Sequence, residues 1–407
     1  MSDQNQIRIL LTKYREHTVC ARYVGFRMTD ITVCEPDECF RVGDIIIGKV
    51  TGVRPQMNAA FVSLREGEDA WLNLEDPHSI TYVSGDPDTP LKPGDEILVQ
   101  ITREAHGNKR LSVSANLMFS GRMVLLMTGK KALGVSVKIP EGRKKELRRL
   151  LSPLMPENYG VIVRSAAEDA SVIEITEELS ELSAEITRKL ELWKTRTVYS
   201  VVERGDSVEE GFVLEHLRDE IDEIVTDLPE EYDRMQAFLN ESGELSMIPL
   251  RLYDDPKMTL SKVYSLETSI EKALARRVYL KSGAYLVIDQ TEAMTVIDVN
   301  SGKMLTDHPH RKVSKREAAL AVNREAAAEI ARQIRLRNVS GIIVADFIDL
   351  ADREDQKKVL EVLKEQTADD PAGVHVVDMT ALQLCEMTRK RVKKPLREQL
   401  SLDAPIE

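Results

Sequence analysis

Short runs of alternating apolar and polar residues open the chain, and this period-two pattern predicts β-strands. Between Ile7 and about Asp37 the runs include Arg8 to Leu11 and Val19 to Tyr23. Residues 41–118 contain about five further strand-like runs, separated by turn residues. That many short strands within that length indicates a small closed barrel.

The middle of the chain mixes strands with amphipathic helices. Strands are predicted at 134–139 and 160–164, and helices at 141–151 and 177–194. The second helix has one apolar face, formed by Leu179, Leu182, Ile186, Leu190 and Trp193,. Apolar residues in 206–240 also recur at helical spacing. We therefore expect this part of the chain to be helical, with its charged residues on solvated faces.

The last third of the chain alternates strands with helices, which is typical of an α/β layer. The predicted strands lie at 285–288, 294–297, 342–345 and 374–377, and the predicted helices at about 314–337 and 354–368. The chain shows no internal repeat and no low-complexity segment.

Two carboxylates follow apolar runs of the same type. Asp298 comes after Thr-Val-Ile, and Asp346 comes after Ile-Ile-Val-Ala. If the two strands are neighbours, both side chains emerge at the carboxyl edge of the sheet, where sites of α/β proteins usually lie. Two oxygen ligands plus waters suit Mg²⁺. Asn300 points the same way as Asp298 on an extended chain and could orient it, and Lys303 follows in a turn suited to a phosphate. The alternative is that each Asp is a turn former or a helix cap.

The formal net charge is −12, from 56 basic and 68 acidic residues. Taken over the whole chain, this charge disfavours a general nucleic-acid coat. The excess is local, however, because residues 203–244 contain 15 acidic and 3 basic residues and so account for all of it. The remainder of the chain is neutral and can carry basic patches.

Membrane and redox features point to a cytoplasmic protein. No apolar run reaches the ~18 residues of a membrane helix, and the polar N-terminus lacks the apolar core of a signal peptide. The four cysteines form no Cys-x-x-Cys pair; they are Cys20, Cys34, Cys39 and Cys385. We expect reduced thiols and no structural zinc.

Two long stretches closely resemble the signature of the ribonuclease E/G family. Residues 283–302 end in Thr-Val-Ile-Asp-Val-Asn-Ser-Gly, and residues 323–337 begin Asn-Arg-Glu-Ala-Ala-Ala-Glu-Ile-Ala-Arg and are followed by a matching stretch at 341–350. The resemblance extends more loosely over nearly the whole chain. It implies an α+β multidomain protein with an RNase H-like domain split between 1–37 and 206–278, an inserted S1 RNA-binding domain with an OB fold at 38–118, a 5′-sensor domain at 119–205, a DNase I-like α/β catalytic domain at 279–400 and a tail at 401–407.

The resemblance also implies roles for particular residues. In the family, the residues matching Asp298 and Asp346 hold Mg²⁺, and the one matching Asn300 supports the first of them. Phe61 and Trp71 occupy the places of aromatics that stack on RNA bases. The alternative for Phe61 is a place in the barrel core.

Two further matches concern charged side chains that contact RNA. Lys109 matches a basic loop near the RNA path, although it could equally be an ordinary solvated lysine,. Arg164-Ser165 stands where the family has an Arg-Thr pair that senses a 5′ monophosphate. An arginine fork and a hydroxyl suit that phosphate.

Two departures from the family pattern matter. Relatives usually carry Lys or Arg at the position of Ala381, and the family's zinc-linking Cys-x-x-Cys element does not follow residues 395–400. We therefore expect any homo-oligomer to form without a zinc link. The sequence predicts a Mg²⁺-dependent endoribonuclease that cleaves single-stranded RNA with metal-activated water, senses a 5′ monophosphate, and acts in RNA processing or decay. The alternative is an RNA-binding scaffold of the same family with weakened or lost catalysis.

Overall fold

The chain folds into two compact units. The computed structural model describes residues 5–34, 39–74, 80–86, 88–105, 110–129, 131–217, 220–241, 245–302, 314–380 and 382–401. The first unit comprises residues 1–36 and 207–407, and the second comprises residues 37–206. The second unit is thus inserted into the first, and each unit has its own sheets and core.

The first unit opens with the strands β1 (Ile7–Tyr14), β2 (His17–Val24) and β3 (Arg27–Val33). The second unit contains, in chain order, β4 (Ile45–Arg54), β5 (Ala59–Arg65), β6 (Glu68–Asn73), β7 (Tyr82–Ser84), β8 (Glu96–Arg103), β9 (Ser112–Ser114), β10 (Met118–Ser120), β11 (Val124–Met127), β12 (Leu133–Val135), α1 (Glu141–Leu151), β13 (Gly160–Val163), α2 (Val172–Trp193) and β14 (Val201–Glu203). The first unit then resumes with α3 (Val208–Glu215), β15 (Glu223–Thr226), α4 (Pro229–Glu241), β16 (Leu250–Leu252), α5 (Leu260–Val263), α6 (Leu266–Leu274), β17 (Arg277–Tyr279), β18 (Tyr285–Gln290), β19 (Met294–Asn300), α7 (Lys315–Leu336), β20 (Gly341–Asp346), α8 (Arg353–Thr367), β21 (Val374–Met379), β22 (Leu384–Arg389) and α9 (Leu396–Gln399).

A five-stranded barrel forms one half of the second unit. Its strands follow the order β4-β5-β6-β9-β8, and pairing of β4 with β8 closes it. Alternate residues of β5 point inward, so that Ala60, Val62 and Leu64 are buried in the barrel core,. The predicted small barrel is confirmed, and its form is consistent with an OB-like fold.

The other half of the second unit is a four-stranded sheet, β10-β11-β13-β12, against which α1 and α2 pack. Helix α2 begins earlier than its apolar spacing predicts, because Ser171 and Glu174 form a reciprocal capping box at its start,. The strand expected at 134–139 is short and ends at Val135.

The first unit contains a five-stranded sheet, β16-β15-β1-β2-β3, whose strands come from both of its chain segments. The prediction that residues 206–240 are wholly helical is wrong, because β15 lies between α3 and α4. Strand β15 pairs in parallel with β1, with Ile224 opposite Ile9, and both residues are fully buried. The strand forms because this pairing buries its apolar residues, and this outweighs the helical spacing.

A six-stranded sheet, β17-β18-β19-β20-β22-β21, completes the first unit. Helices α7 and α8 cover one face of it, where Ile297, Ile343, Ala345 and Met387 are buried with the helix residue Ile330. The helices predicted at 314–337 and 354–368 are both present. The protein therefore mixes α and β structure in several separate sheets.

Candidate active site

The two predicted carboxylates lie side by side. Strands β19 and β20 are parallel neighbours, and Asp298 is the direct register partner of Asp346. Side chains at register partners point to the same face of a sheet. Both carboxylates therefore stand on one face, at the carboxyl edge of the two strands.

That face is the one that the helices leave open. Along β19, exposed and buried residues alternate, with Ile297 and Val299 buried and Asp298 exposed between them. In β20, Ala345 is buried and Asp346 is exposed. The alternation arises because α7 packs on the opposite face, so the apolar residues fix which way the carboxylates point.

Asn300 and Asp349 each interact with one of the two carboxylates. The Asn300 side-chain amide donates a hydrogen bond to one oxygen of the Asp298 carboxylate. Partial desolvation, followed by the negative charges of Asp298 and Asp349, raises the pKa of Asp346. The edge therefore concentrates negative charge, which a cation would relieve.

The donor set fits a hard divalent cation. Among the described residues, no group of three or more His, Cys, Asp or Glu side chains is arranged to hold a metal. Two exposed carboxylates in register nevertheless match the preference of Mg²⁺, which keeps several waters and binds through one or two carboxylates. Asp298 and Asp346 are the residues that would hold it.

The loop after β20 is fixed by a residue that sequence patterns did not single out. Asn323, on α7, is fully buried. Its amide donates to the Ile348 carbonyl oxygen at 2.7 Å, and its oxygen accepts from the Ile348 N–H at 3.1 Å. Asn323 thereby holds the segment between Asp346 and Asp349. The signal for this role in the sequence was a polar residue on a face of α7 that otherwise carries alanine and other apolar side chains.

A second support holds the turn between β17 and β18, against which the residues after β19 pack. The Glu325 carboxylate accepts from the backbone N–H groups of Lys281 at 2.7 Å and Ser282 at 3.3 Å. Gly302 packs against the same turn in a left-handed conformation, and a Cβ there would lie 2.5 Å from the Gly283 carbonyl oxygen. Helix α7 therefore holds the loop after Asp346 directly and supports the chain after Asp298 through the turn between β17 and β18.

The predicted aromatic pair lies on the outer surface of the barrel. Phe61 and Trp71 are register partners on β5 and β6, and both are half-buried. Their ring centroids are 5.5 Å apart at an interplanar angle of 81°. The Arg110 guanidinium lies 5.2 Å from the Phe61 centroid. The core interpretation of Phe61 does not apply, because its neighbours Ala60 and Val62 fill the core.

The predicted phosphate sensor stands at the end of β13. Arg164 is exposed, and Ser165 begins a short 3₁₀ helix, Ser165–Ala167. The Arg164 guanidinium donates to the Gly121 carbonyl oxygen, and its backbone N–H donates to the Met123 carbonyl oxygen at 2.8 Å. These contacts hold the arginine beside the loop between β10 and β11.

The remaining predicted site residues fall elsewhere. Lys109, Lys303 and the unusual Ala381 lie outside the described residues. Arg143, on α1, donates to the carbonyl oxygens of Glu168 and Ala170. Within the described ranges, no helix combines the length and apolar character needed to cross a bilayer.

These features define a class of protein: a mixed α and β chain with a carboxylate pair at a sheet edge in one unit and an aromatic-bearing barrel in the other. Comparison with known proteins identifies the family within this class. A model described as the Ribonuclease E/G family matches residues 118–392. The chain belongs to the ribonuclease E/G family.

Individual relatives agree with this membership. Ribonuclease E of Synechocystis sp. is 31% identical over 396 residues, which cover 96% of this chain and 58% of that protein. Ribonuclease E of Nostoc sp. is 32% identical over 92% of this chain and 55% of its own length. Ribonuclease G of Escherichia coli K12 is 32% identical over 89% of this chain and 76% of its own. The chain thus spans little more than half the length of the two ribonuclease E proteins. The predicted family is confirmed, and its relatives are enzymes named as ribonucleases.

Proposed function

We propose that this protein is a Mg²⁺-dependent endoribonuclease that hydrolyses single-stranded RNA at the Asp298–Asp346 edge, in RNA processing or decay. The observation that carries the proposal is the register pairing of these two aspartates within a family of ribonucleases. A pair of carboxylates held by two parallel strands is a rigid place for a cation to meet a phosphodiester.

Each residue at the edge has a distinct role in the proposal. A divalent cation bound there would supply charge stabilisation and an activated water. Asp298 and Asp346 hold that cation, and the amide of Asn300 fixes the rotation of the Asp298 carboxylate,. The burial of Asn323 and its two bonds to Ile348 keep the strand end that carries Asp346 in place.

The barrel would supply sequence-tolerant binding of the RNA strand. Phe61 and Trp71 present half-exposed rings, and stacking a base on such a ring contributes about 1–3 kcal/mol. The predicted Lys109 would add positive charge for phosphates, whereas the charge of Arg110 is paired with the Asp69 carboxylate at 3.2 Å. Binding should therefore weaken as the salt concentration rises.

Arg164 and Ser165 would recognise a 5′ monophosphate. The guanidinium has five donors, of which the contact to Gly121 uses one, and the Ser165 hydroxyl is adjacent,. A phosphate with two negative charges would bind to this guanidinium more strongly than a 5′ hydroxyl would. We therefore expect RNA with a 5′ monophosphate to be cleaved faster.

The proposal is tested by neutralising each carboxylate without changing its shape. Asp298→Asn and Asp346→Asn proteins should lose cleavage of an unstructured RNA by roughly a thousandfold or more, since each removes a cation ligand. Glu386→Gln is the matched control, because Glu386 is exposed on the same sheet face opposite Val344. It should cleave normally.

Near-normal cleavage by either aspartate variant would exclude the proposed site. If the unaltered protein binds RNA but does not cut it when Mg²⁺ is added, the scaffold alternative would be correct. Ala381, which stands where relatives usually carry Lys or Arg, is the sequence feature that favours the scaffold alternative.

A further inference from the structure

A cavity of about 550 Å³ lies in the second unit, where the end of α2 meets β14. Its apolar wall is formed by Leu192, Trp193, Val201 and Val202. The volume lies within the range of about 300–1,000 Å³ that small-molecule sites occupy. None of the residues predicted from sequence to bind RNA lines it.

The wall of this cavity is fixed by packing on its far side. Trp193 is 4% exposed, and its ring stacks with Phe119 at a centroid separation of 6.1 Å. The chain between α2 and β14 is pinned to the barrel, because the Ile47 N–H donates to the Ser200 carbonyl and the Tyr199 N–H donates to the Ile47 carbonyl. The cavity is therefore present before any ligand arrives.

Two arginines at the cavity are available for an anion. Arg188 and Arg196 line it and are exposed. Across the described parts of the chain, neither guanidinium hydrogen-bonds to a carboxylate or carbonyl. Lys189 also lines the cavity, but its ammonium is neutralised by Glu203 at 2.8 Å and Glu185 at 2.9 Å. The uncompensated charge therefore lies on the two guanidiniums.

We propose that this cavity binds a nucleotide, with its phosphate on Arg188 and Arg196 and its base against the wall of Leu192 and Trp193. Arginine forks match phosphate oxygens in pairs, and an apolar wall beside them suits a base. The choice of a nucleotide, either free or as a residue of an RNA strand, rests on the proposed function. The cavity would then be a second RNA contact, separate from Phe61 and Trp71.

The two tryptophans of the chain allow a direct test. They are Trp71 and Trp193, so a Trp71→Phe protein has its only indole at the cavity. Its fluorescence is titrated with adenosine 5′-monophosphate in one arm and with a short single-stranded oligoribonucleotide in the other. EDTA is present throughout, so that no Mg²⁺-dependent cleavage takes place.

We expect a saturable change in Trp193 fluorescence. The added substitutions Arg188→Gln and Arg196→Gln should together weaken binding by about tenfold or more, since both phosphate contacts are lost. The matched control carries Arg148→Gln and Arg149→Gln, which remove the same charge from exposed side chains of α1 that do not line the cavity. Its affinity should stay within about twofold of the parent, as long-range surface charge effects are small.

A response to adenosine 5′-monophosphate would identify a free-nucleotide site, and a response to the oligoribonucleotide alone would identify a site for an RNA strand. Absence of any response in either arm, or an equal loss of affinity in the control, would overturn the proposal. Normal Mg²⁺-dependent cleavage alongside a failed titration would remove this inference and leave the proposed function intact. Unchanged thermal unfolding of each variant shows that the cavity itself was preserved.

Discussion

The carboxylate edge of the first unit and the aromatic and cationic surface of the second unit are built in different ways. Asp298 and Asp346 sit on paired backbones, and a single methylene group separates each backbone from its carboxyl group. Arg164, Arg188 and Arg196 reach out from their backbones on long stems and are exposed. The negative groups are thus fixed by the sheet, while the positive groups can adapt to what they bind.

This difference matches the demands of chemistry and of binding. A reaction site loses much of its rate when its groups move by about an ångström, whereas charge and stacking contacts tolerate such shifts. Substitutions in the first unit should therefore alter turnover or folding, and substitutions in the second should alter affinity and substrate preference. The following substitutions test whether the two units have these separate roles.

The largest effect is expected at a largely shielded ion pair of the first unit. Asp30 lies 2.7 Å from Arg335 Nε and 3.2 Å from His216 Nε2, and so joins β3 to α7. Asp30→Asn should lower the free energy of unfolding by about 3–5 kcal/mol, because it removes the negative charge that faces the Arg335 guanidinium at a site largely shielded from solvent,. Hydrogen exchange should show lost protection in the first unit only. Asp233→Asn, at an exposed position, should have no such effect.

The same pair predicts a pH dependence. Burial alone would raise the pKa of Asp30, but the hydrogen bond from His216 and the charge of Arg335 outweigh burial and lower this pKa to about 2. A lowered carboxylate pKa stabilises the fold above its unfolded value, and that stability is lost as the pH falls through the folded pKa. The difference in unfolding free energy between the parent and Asp30→Asn should therefore narrow between about pH 4 and pH 2. A constant difference across this range would show that Asp30 is not the responsible group.

Asn323 tests whether the carboxylate edge needs its support from α7. Asn323→Leu removes both bonds to Ile348, and we expect kcat to fall by about a hundredfold with little change in KM. The midpoint of the Mg²⁺ titration should also rise, because the Asp346 strand end loses its anchor. Asn240→Leu, on an exposed face of α4, is the control. A change in KM alone would contradict a positioning role.

Trp71 tests the opposite expectation for the second unit. Trp71→Ala should weaken RNA binding by about tenfold through loss of one stacking contact. The rate at saturating RNA should not change. Trp71→Phe keeps an aromatic ring and should retain most of the affinity. A lower rate at saturating RNA for Trp71→Ala would show that Trp71 also affects turnover. The proposed separation of roles between the two units would then be wrong.

Arg164 gives the smallest expected effect. Arg164→Ala should abolish the preference for a 5′ monophosphate over a 5′ hydroxyl, which corresponds to about a fivefold change in kcat/KM on monophosphorylated RNA. Cleavage of the 5′-hydroxyl RNA should stay the same. Arg164→Lys should not restore the preference, because an ammonium lacks the planar fork. An unchanged preference in Arg164→Ala would exclude the sensor role.

The sequence predicted those parts of the site that depend on local pattern. Apolar runs ending in Asp298 and Asp346 indicated strands with carboxylates at their ends, and the period of two determined which side Asn300 would face. The barrel strands could also be predicted, because they depend on alternation and turn residues. These features are set by residues close together in the chain. The RNA-binding role of Phe61 and Trp71 came instead from the resemblance to the family.

Features that arise from distant packing could not be predicted in this way. Strand β15 lies in an acidic segment with helical spacing and becomes a strand only because β1 pairs with it. Asn323 acts on Ile348, 25 positions away. The cavity beside Trp193 needs the end of α2, the linker and the barrel together. In each case the deciding partner lies on another element.

The role of Asp298 and Asp346 as cation ligands can be measured without any RNA. Mn²⁺, substituting for Mg²⁺, is titrated into the protein and followed by electron paramagnetic resonance, with Asp298→Asn, Asp346→Asn and the control Glu386→Gln in parallel. We expect one Mn²⁺ site in the parent and in Glu386→Gln, and loss of that site in both aspartate variants with unfolding temperatures unchanged. An equal affinity and stoichiometry in all four proteins would show that the two aspartates do not hold the cation.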